Sequence, residues 1–161
     1  MEQFKDIYEK YYKKIYLFLL KMSGDSMLAE ELTQETLYKA FLHIEQYEGR
    51  SSLYTWLCGI ARNNWLAEMN RQKQRVDQVA IVDYSCGTNF EEGVLDSQLR
   101  ELMRRELLRL PEPYVTVCAL RIYGELPYAE IASSFKKSES WAKVTFFRGK
   151  TMLMERMEKY K

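Results

Sequence analysis

The sequence predicts an all-α protein of two small helical domains, an N-terminal helical bundle and a C-terminal helix-turn-helix, joined by a flexible acidic linker. Three observations predict it. Apolar residues recur at steps of three and four through most of the chain, the spacing that lines one face of a helix. Helix breakers are few, with seven Gly and three Pro among 161 residues. Between residues 76 and 98 the periodicity lapses, and Asp77, Asp83, Glu91, Glu92 and Asp96 stand there with no Lys or Arg.

The first helix starts near Phe4, carries Ile7, Tyr8, Tyr11, Tyr12, Ile15, Phe18, Leu19 and Met22 on one face, and ends near Gly24. Asp25 or Ser26 can cap the second, whose inward face is Leu28, Leu32, Thr36, Leu37, Ala40, Phe41 and Ile44. Its other face is acidic: from Asp25 to Glu48 the acids Asp25, Glu30, Glu31, Glu35, Glu45 and Glu48 oppose the single base Lys39. Such a surface repels DNA and suits a basic protein partner. Tyr47-Glu48-Gly49-Arg50-Ser51-Ser52 breaks the pattern, and Leu53, Trp56, Leu57, Ile60 and Ala61 resume it. That spacing assigns Trp56 to the core. This third helix turns basic at Arg62, Arg71, Lys73 and Arg75, and the first domain closes as residues 1–75.

After the linker, residues 76–98, the second domain occupies 99–161. Leu99, Leu102, Met103, Leu107 and Leu110 form a fourth helix, broken at Pro111 and Pro113, and a fifth runs from Tyr114 through Ile122 to a turn at Gly124. Pro127 suits a helix start, and Tyr128, Ile131, Ala132 and Phe135 give the short sixth helix one apolar face. The turn Lys136-Lys137 leads to Ser138, an N-cap for a longer basic helix with Lys143, Arg148 and Lys150. Short helix, tight turn and basic helix make a helix-turn-helix. The second helix of such a unit enters the major groove, so Glu139, Ser140, Trp141 and Lys143 on its first turns are placed to meet bases and phosphates. From Lys136 to Lys161 eight Lys or Arg face three Glu, which supplies a phosphate-binding charge even though the whole chain is only +1.

Other classes find little support. No run approaches the ~18 apolar residues of a membrane span, and Met1-Glu2-Gln3-Phe4-Lys5 lacks the apolar core of a signal peptide. The expectation is a cytoplasmic protein with no membrane insertion. Cys58, Cys86 and Cys118 are odd in number and widely spaced, which supports neither a disulfide framework nor a metal site. The lone His43 has no partner motif, and the adjacent Glu30 and Glu31 point about 100° apart on a helix. No catalytic residue, metal or cofactor is assigned, and an enzyme is not expected.

Three segments carry a resemblance to a known family. They are A-E-E-L-T-Q-E-T-L-Y-K-A-F from Ala29 to Phe41, Y-E-G-R-S-S-L-Y-T-W-L-C-G-I-A-R-N from Tyr47 to Asn63, and A-E-I-A followed by S-E-S-W-A-K-V and R-G-K-T-M-L near the C-terminus. Through them the chain resembles the extracytoplasmic-function sigma factors, subunits of bacterial RNA polymerase in the sigma-70 family. The resemblance implies that the first domain is like sigma region 2 and the second like region 4. The partners it implies are core RNA polymerase (beta-prime clamp and beta flap), promoter DNA as duplex and as melted non-template strand, and an anti-sigma factor.

By the same resemblance Glu30, Glu31, Gln34, Glu35 and Tyr38 bind core polymerase. Tyr47, Gly49, Arg50, Ser51, Arg62, Asn63, Arg71 and Arg75 serve the promoter minus-ten element, with Tyr47 and Asn63 foremost for base contact and Arg62, Arg71 and Arg75 nearer the backbone. Physics agrees in outline: promoter melting needs an unstacked base to be held, and an aromatic-glycine-serine loop beside a polar helix face can hold one. Lys137, Ser138, Glu139, Ser140, Trp141, Lys143 and Arg148 read the minus-thirty-five element. Lys136 stands where relatives usually have glycine, Trp141 where a small residue is common, and Phe146 and Phe147 where polar or smaller residues are typical. The competing reading is a free-standing helix-turn-helix regulator that binds duplex DNA without polymerase.

Overall fold

The computed structural model describes residues 2–78 and 92–160. Among them are seven helices: α1 (Glu2–Ser23), α2 (Ser26–His43), α3 (Leu53–Gln78), α4 (Glu92–Leu108), α5 (Tyr114–Ile122), α6 (Tyr128–Phe135) and α7 (Glu139–Glu158), with a 3₁₀ turn at Ile44–Gln46 after α2. No strand occurs among the described residues. Helix enters the expected linker from both sides. Val76, Asp77 and Gln78 contain no breaker, so α3 continues through them, and Leu95 extends the period of Leu99 and Leu102 upstream. The remainder of the linker, with Cys86, lies outside the described residues.

In the first domain α1, α2 and α3 pack pairwise on one another. Ile15, Phe18, Leu19 and Met22 of α1 meet Ala29, Leu32, Leu37 and Ala40 of α2 and Leu57, Cys58, Ala61 and Trp65 of α3 in one buried cluster. Gly24, at φ 69°, ends α1 by donating its N–H to the Leu20 carbonyl at 2.8 Å. Asp25, not Ser26, then caps α2, its Oδ1 accepting from the N–H groups of Met27 and Leu28 at 3.0 and 3.2 Å. Buried polar groups find partners. Thr33 donates to the Ala29 carbonyl at 2.6 Å, and the Asn64 amide donates to Thr36 Oγ1 while accepting from Lys39 Nζ.

The second domain is built around α5, where Val115, Thr116, Val117, Cys118, Ala119 and Leu120 are all buried. Helix α7 crosses it closely enough that a Cβ on Gly149 would lie 2.6 Å from Cys118 Sγ and 3.3 Å from Tyr114 Cβ. At the next turn two residues divide the work expected of one. Gly124 is needed for space, since a Cβ there would meet the Leu120 carbonyl at 2.7 Å and the Phe18 ring at 3.3 Å, while Glu125 takes the left-handed backbone at φ 53°. The end of α7 is tied to α4 through Glu106. Its buried carboxylate accepts from Tyr160 Oη at 2.6 Å, Arg156 Nε at 2.8 Å and Arg109 Nη1 at 3.2 Å.

Two predictions follow from these contacts. Gly149→Ala should destabilise the second domain by about 1–3 kcal/mol through overpacking at the α5–α7 crossing, a loss of several degrees in thermal melting. The hydrogen bond from Tyr160, followed by that from Arg156 and the nearby Arg109, holds the Glu106 carboxyl below its ordinary range against the opposing effect of burial. A depressed folded pKa means stability that is present above the unfolded value near 4.5 and lost as pH falls through the folded one. Melting of the wild type should therefore drop more steeply with acidification than that of Glu106→Gln.

Candidate functional site

Helix α2 turns one face outward. Glu30, Glu31 and Gln34 are exposed, Tyr38 is 62% exposed, and Glu35 is half-buried in an ion pair with Lys39 at 3.2 Å. Interleaved with them are apolar side chains that nothing in this chain covers: Met27 at 74% exposure, Leu42 at 55% and Phe41 at 42%. Phe41, expected inside, rests its ring on Phe4 at 4.9 Å and keeps its outer edge open. Met27 and Leu42 went unnoticed in the sequence because each falls outside the inward period and only exposure distinguishes it. Acidic and apolar surface together fit a protein partner with basic and apolar groups, not a phosphate backbone.

Beyond α2 the chain turns into a cleft of about 350 Å³ where the loop 47–52, the first half of α3 and the helix-turn-helix meet. Tyr47, Arg50, Ser51 and Asn63 line one side of it. The Tyr47 hydroxyl donates to the Ser51 carbonyl at 2.5 Å and its ring tilts against Trp56 at 5.4 Å, so the aromatic wall is held in place from within its own loop. Gly49 takes φ 75°, the left-handed backbone that lets the loop reverse, and Arg50 pairs with Glu48 at 2.9 Å. Trp56 departs from expectation: it is half-buried and lines the cleft, whereas Trp65, one heptad and a half-turn on, is the tryptophan of the core at 1% exposure. Period alone placed both on apolar faces; which face meets α1 and α2 is decided by tertiary packing.

The basic residues of α3 do not act as one group. Arg71 is exposed and forks onto Glu68 at 2.7 and 3.1 Å, lowering that carboxyl, and Arg75 is exposed one turn later. Arg62 turns the other way. Its Nη1 donates to Thr116 Oγ1 at 2.6 Å and meets Glu112 at 3.3 Å, while its Nε is buried with no partner. Burial works against its charge and Glu112 supports it. In this arrangement Arg62 is a contact to α5 and offers nothing to a nucleic acid, a relation no local pattern could reveal.

In the helix-turn-helix, Lys136 is left-handed at φ 58°, ψ 41°, and Lys137 N–H reaches back to the Ala132 carbonyl at 3.0 Å. That backbone is what glycine provides at little cost, and for an L residue it costs about 1–2 kcal/mol. Ser138 caps α7 as expected, accepting from Trp141 N–H at 3.1 Å. Lys137, Ser138, Glu139, Ser140, Lys143 and Arg148 are exposed together, with Lys143 beside Glu139 at 3.7 Å. Trp141 is not in that company: half-buried, it packs its ring against Phe135 at 5.2 Å, inside the motif. Phe146 likewise turns toward Tyr128 at 5.9 Å, and Phe147 stands out at 59% exposure.

Among the described residues no group of His, Cys, Asp or Glu is placed to hold a metal ion, and no helix is long and apolar enough to cross a membrane. Residues 7–75 match the protein family described as Sigma-70 region 2. The chain is 32% identical over 152 residues to the ECF RNA polymerase sigma factor SigM of Bacillus subtilis, covering 92% of this chain and 91% of SigM. It is 29% identical over 162 residues to the RNA polymerase sigma factor YlaC of the same organism, covering 98% and 94%. Two solved structures share the fold across 98% of the chain. One is CnrH in complex with the cytosolic domain of CnrY, of which it covers 89% at 13% identity with a TM-score of 0.62. The other is the sigma factor RpoE in complex with the anti-sigma factor NepR from Bartonella quintana, of which it covers 98% at 21% identity with a TM-score of 0.59. An all-helical fold in two domains, a region 2 match over the first of them and near-full-length similarity to SigM agree: the chain belongs to the extracytoplasmic-function sigma factors of bacterial RNA polymerase.

Proposed function

We propose that this sigma factor divides its work among three surfaces. Residues 1–75 act as the domain for core polymerase and the minus-ten element, residues 76–98 as the connection, and residues 99–161 as the reader of the minus-thirty-five element. The outer face of α2, with Glu30, Glu31, Gln34, Glu35 and Tyr38, now joined by Met27 and Leu42, docks on the polymerase beta-prime clamp. The cleft of Tyr47, Gly49, Arg50, Ser51 and Asn63 holds an unstacked base of the non-template strand, with Arg71 and Arg75 toward the backbone and Arg62 joining them only once it leaves α5. The exposed start of α7, Lys137 to Ser140 with Lys143 and Arg148, enters the duplex upstream while the second domain meets the beta flap. Trp141 contributes by fixing the angle of α7.

The observation that carries this reading is the convergence of Tyr47 and Asn63, from a loop and a helix, on one cleft. The protein works as an initiation factor and not as an enzyme, in the cytoplasm where polymerase is, and an anti-sigma factor restrains it, as NepR and CnrY are bound by the sigma factors of the same fold.

Transcription from fragmented genomic DNA by core enzyme plus this protein tests the assignment and yields the promoter motif. Tyr47→Ala and Asn63→Ala should each cut open-complex formation by about 5- to 100-fold, the loss of one stacked or hydrogen-bonded base, with core binding unchanged. Glu30→Lys with Glu31→Lys should instead weaken association with core polymerase at least tenfold and leave the fold intact. Tight, specific duplex binding by the protein alone, with no effect on core polymerase, would refute the proposal in favour of a free-standing regulator.

A further inference from the structure

A helix that opens on a serine cap commonly carries Glu or Gln at its third position, whose side chain reaches back to the N–H of the cap. Helix α3 opens on Ser52, with Ser52 Oγ accepting from Thr55 N–H at 3.2 Å, but its third position is Thr55, too short to complete the reciprocal bond. The missing carboxylate comes from the other domain. Glu130 on α6 accepts from Ser52 N–H at 2.8 Å and from the hydroxyl of Thr55 at 3.1 Å, and Thr55 is 1% exposed. The positive end of the α3 dipole adds to the attraction.

We infer that Glu130 is a capping latch, which in the free chain holds the helix-turn-helix domain over the cleft of Tyr47 and Asn63 and so masks it from DNA. The inference rests on the assignment of that cleft to promoter DNA. Its geometry is specific. Ser133, Ser134, Phe135 and Lys136, the end of α6 and the turn that follows, form the far wall of the cleft. Further contacts hold the same arrangement: Arg62 on Thr116 and Glu112, Arg104 Nε on the Lys21 carbonyl at 2.9 Å, and the Phe18 ring against Gly124. Of these, the Glu130 contact is the one that joins a charge to the loop bearing the cleft.

The masking is one-sided, because Lys137, Ser138, Glu139, Ser140 and Lys143 remain exposed while the cleft is covered. The free chain therefore presents its upstream reader and withholds its melting surface. A partner that binds the parted domains better than the packed ones shifts the population by that difference in affinity, and until then the apparent affinity of the cleft is reduced by the fraction of chains that are open.

The test uses the full-length chain as wild type, Glu130→Ala, Thr55→Val and the double variant, each checked for helix content by circular dichroism. Small-angle X-ray scattering reads the radius of the free chain, and fluorescence anisotropy reads binding of a labelled single-stranded DNA of mixed sequence. Either single variant should expand the chain and tighten DNA binding by about fivefold or more, and the double variant should add little, since both changes break one bond. Folded variants with an unchanged radius overturn the latch, and expanded variants that bind DNA no better overturn the masking. If the variants expand and bind more tightly while the wild type fails to start transcription with core polymerase, the latch stands and the sigma assignment of the cleft falls.

Discussion

Helix α3 has two packed faces, and the rest of the molecule is arranged by that demand. Leu57, Ala61, Asn64 and Trp65 recur at helical spacing and point toward α2, where the Asn64 amide donates to Thr36. Ser52, Thr55 and Arg62 point the other way, toward α5 and α6. Burial of large apolar side chains on the first face stabilises by about 1.5–3 kcal/mol each. The second face is held by hydrogen bonds and one ion pair, each of which exchanges for water at small net cost. The asymmetry makes the first domain a fixed body and the contact between domains a separable one. Anything hung on the first half of α3 inherits both properties: a rigid platform and a removable cover.

Charge is distributed in keeping with that division. The exposed acids of α2 lie on the first domain, and the excess of Lys and Arg lies at the C-terminal end from Lys136 onward. A near-neutral total thus conceals a surface that attracts protein at one place and nucleic acid at another, with fields that fall off over roughly 8–10 Å at moderate ionic strength. Segregation of this kind lets one small chain engage two chemically opposite partners without either surface weakening the other.

The seven helices, the acidic face of α2 and the helix-turn-helix were legible because each depends on residues close in sequence: a repeat of three and four, a cap, a breaker. The caps at Asp25 and Ser138 bear this out in atomic terms. What was not legible is long-range. Trp56 and Trp65 both sit on apolar stripes, and only the placement of α1 and α2 makes one a core residue and the other a wall of the cleft. Arg62 reads as one base in a basic helix until α5 brings Thr116 and Glu112 to it. Trp141 sits on the recognition helix, yet Phe135 draws it inward across the turn. The left-handed Lys136 had a faint signal in the glycine usual at that place, though not one that composition or period could supply. Helix ends inside the linker were missed for a simpler reason, since a loss of apolar period marks where packing stops and not where helix stops.

The crossing of α5 and α7 has a consequence for chemistry at sulfur. Burial pushes the Cys118 thiol up to about 11 and the Cys58 thiol up to about 12, so neither holds appreciable thiolate at neutral pH and both are poor nucleophiles and poor targets for oxidants. Cys118 in addition sits where α7 comes so near that its own helix position is a glycine. An alkylating reagent can reach that sulfur only in the moments when the two helices part, and its capture rate is then a clock for the breathing of the DNA-reading domain, built into the chain without any added label.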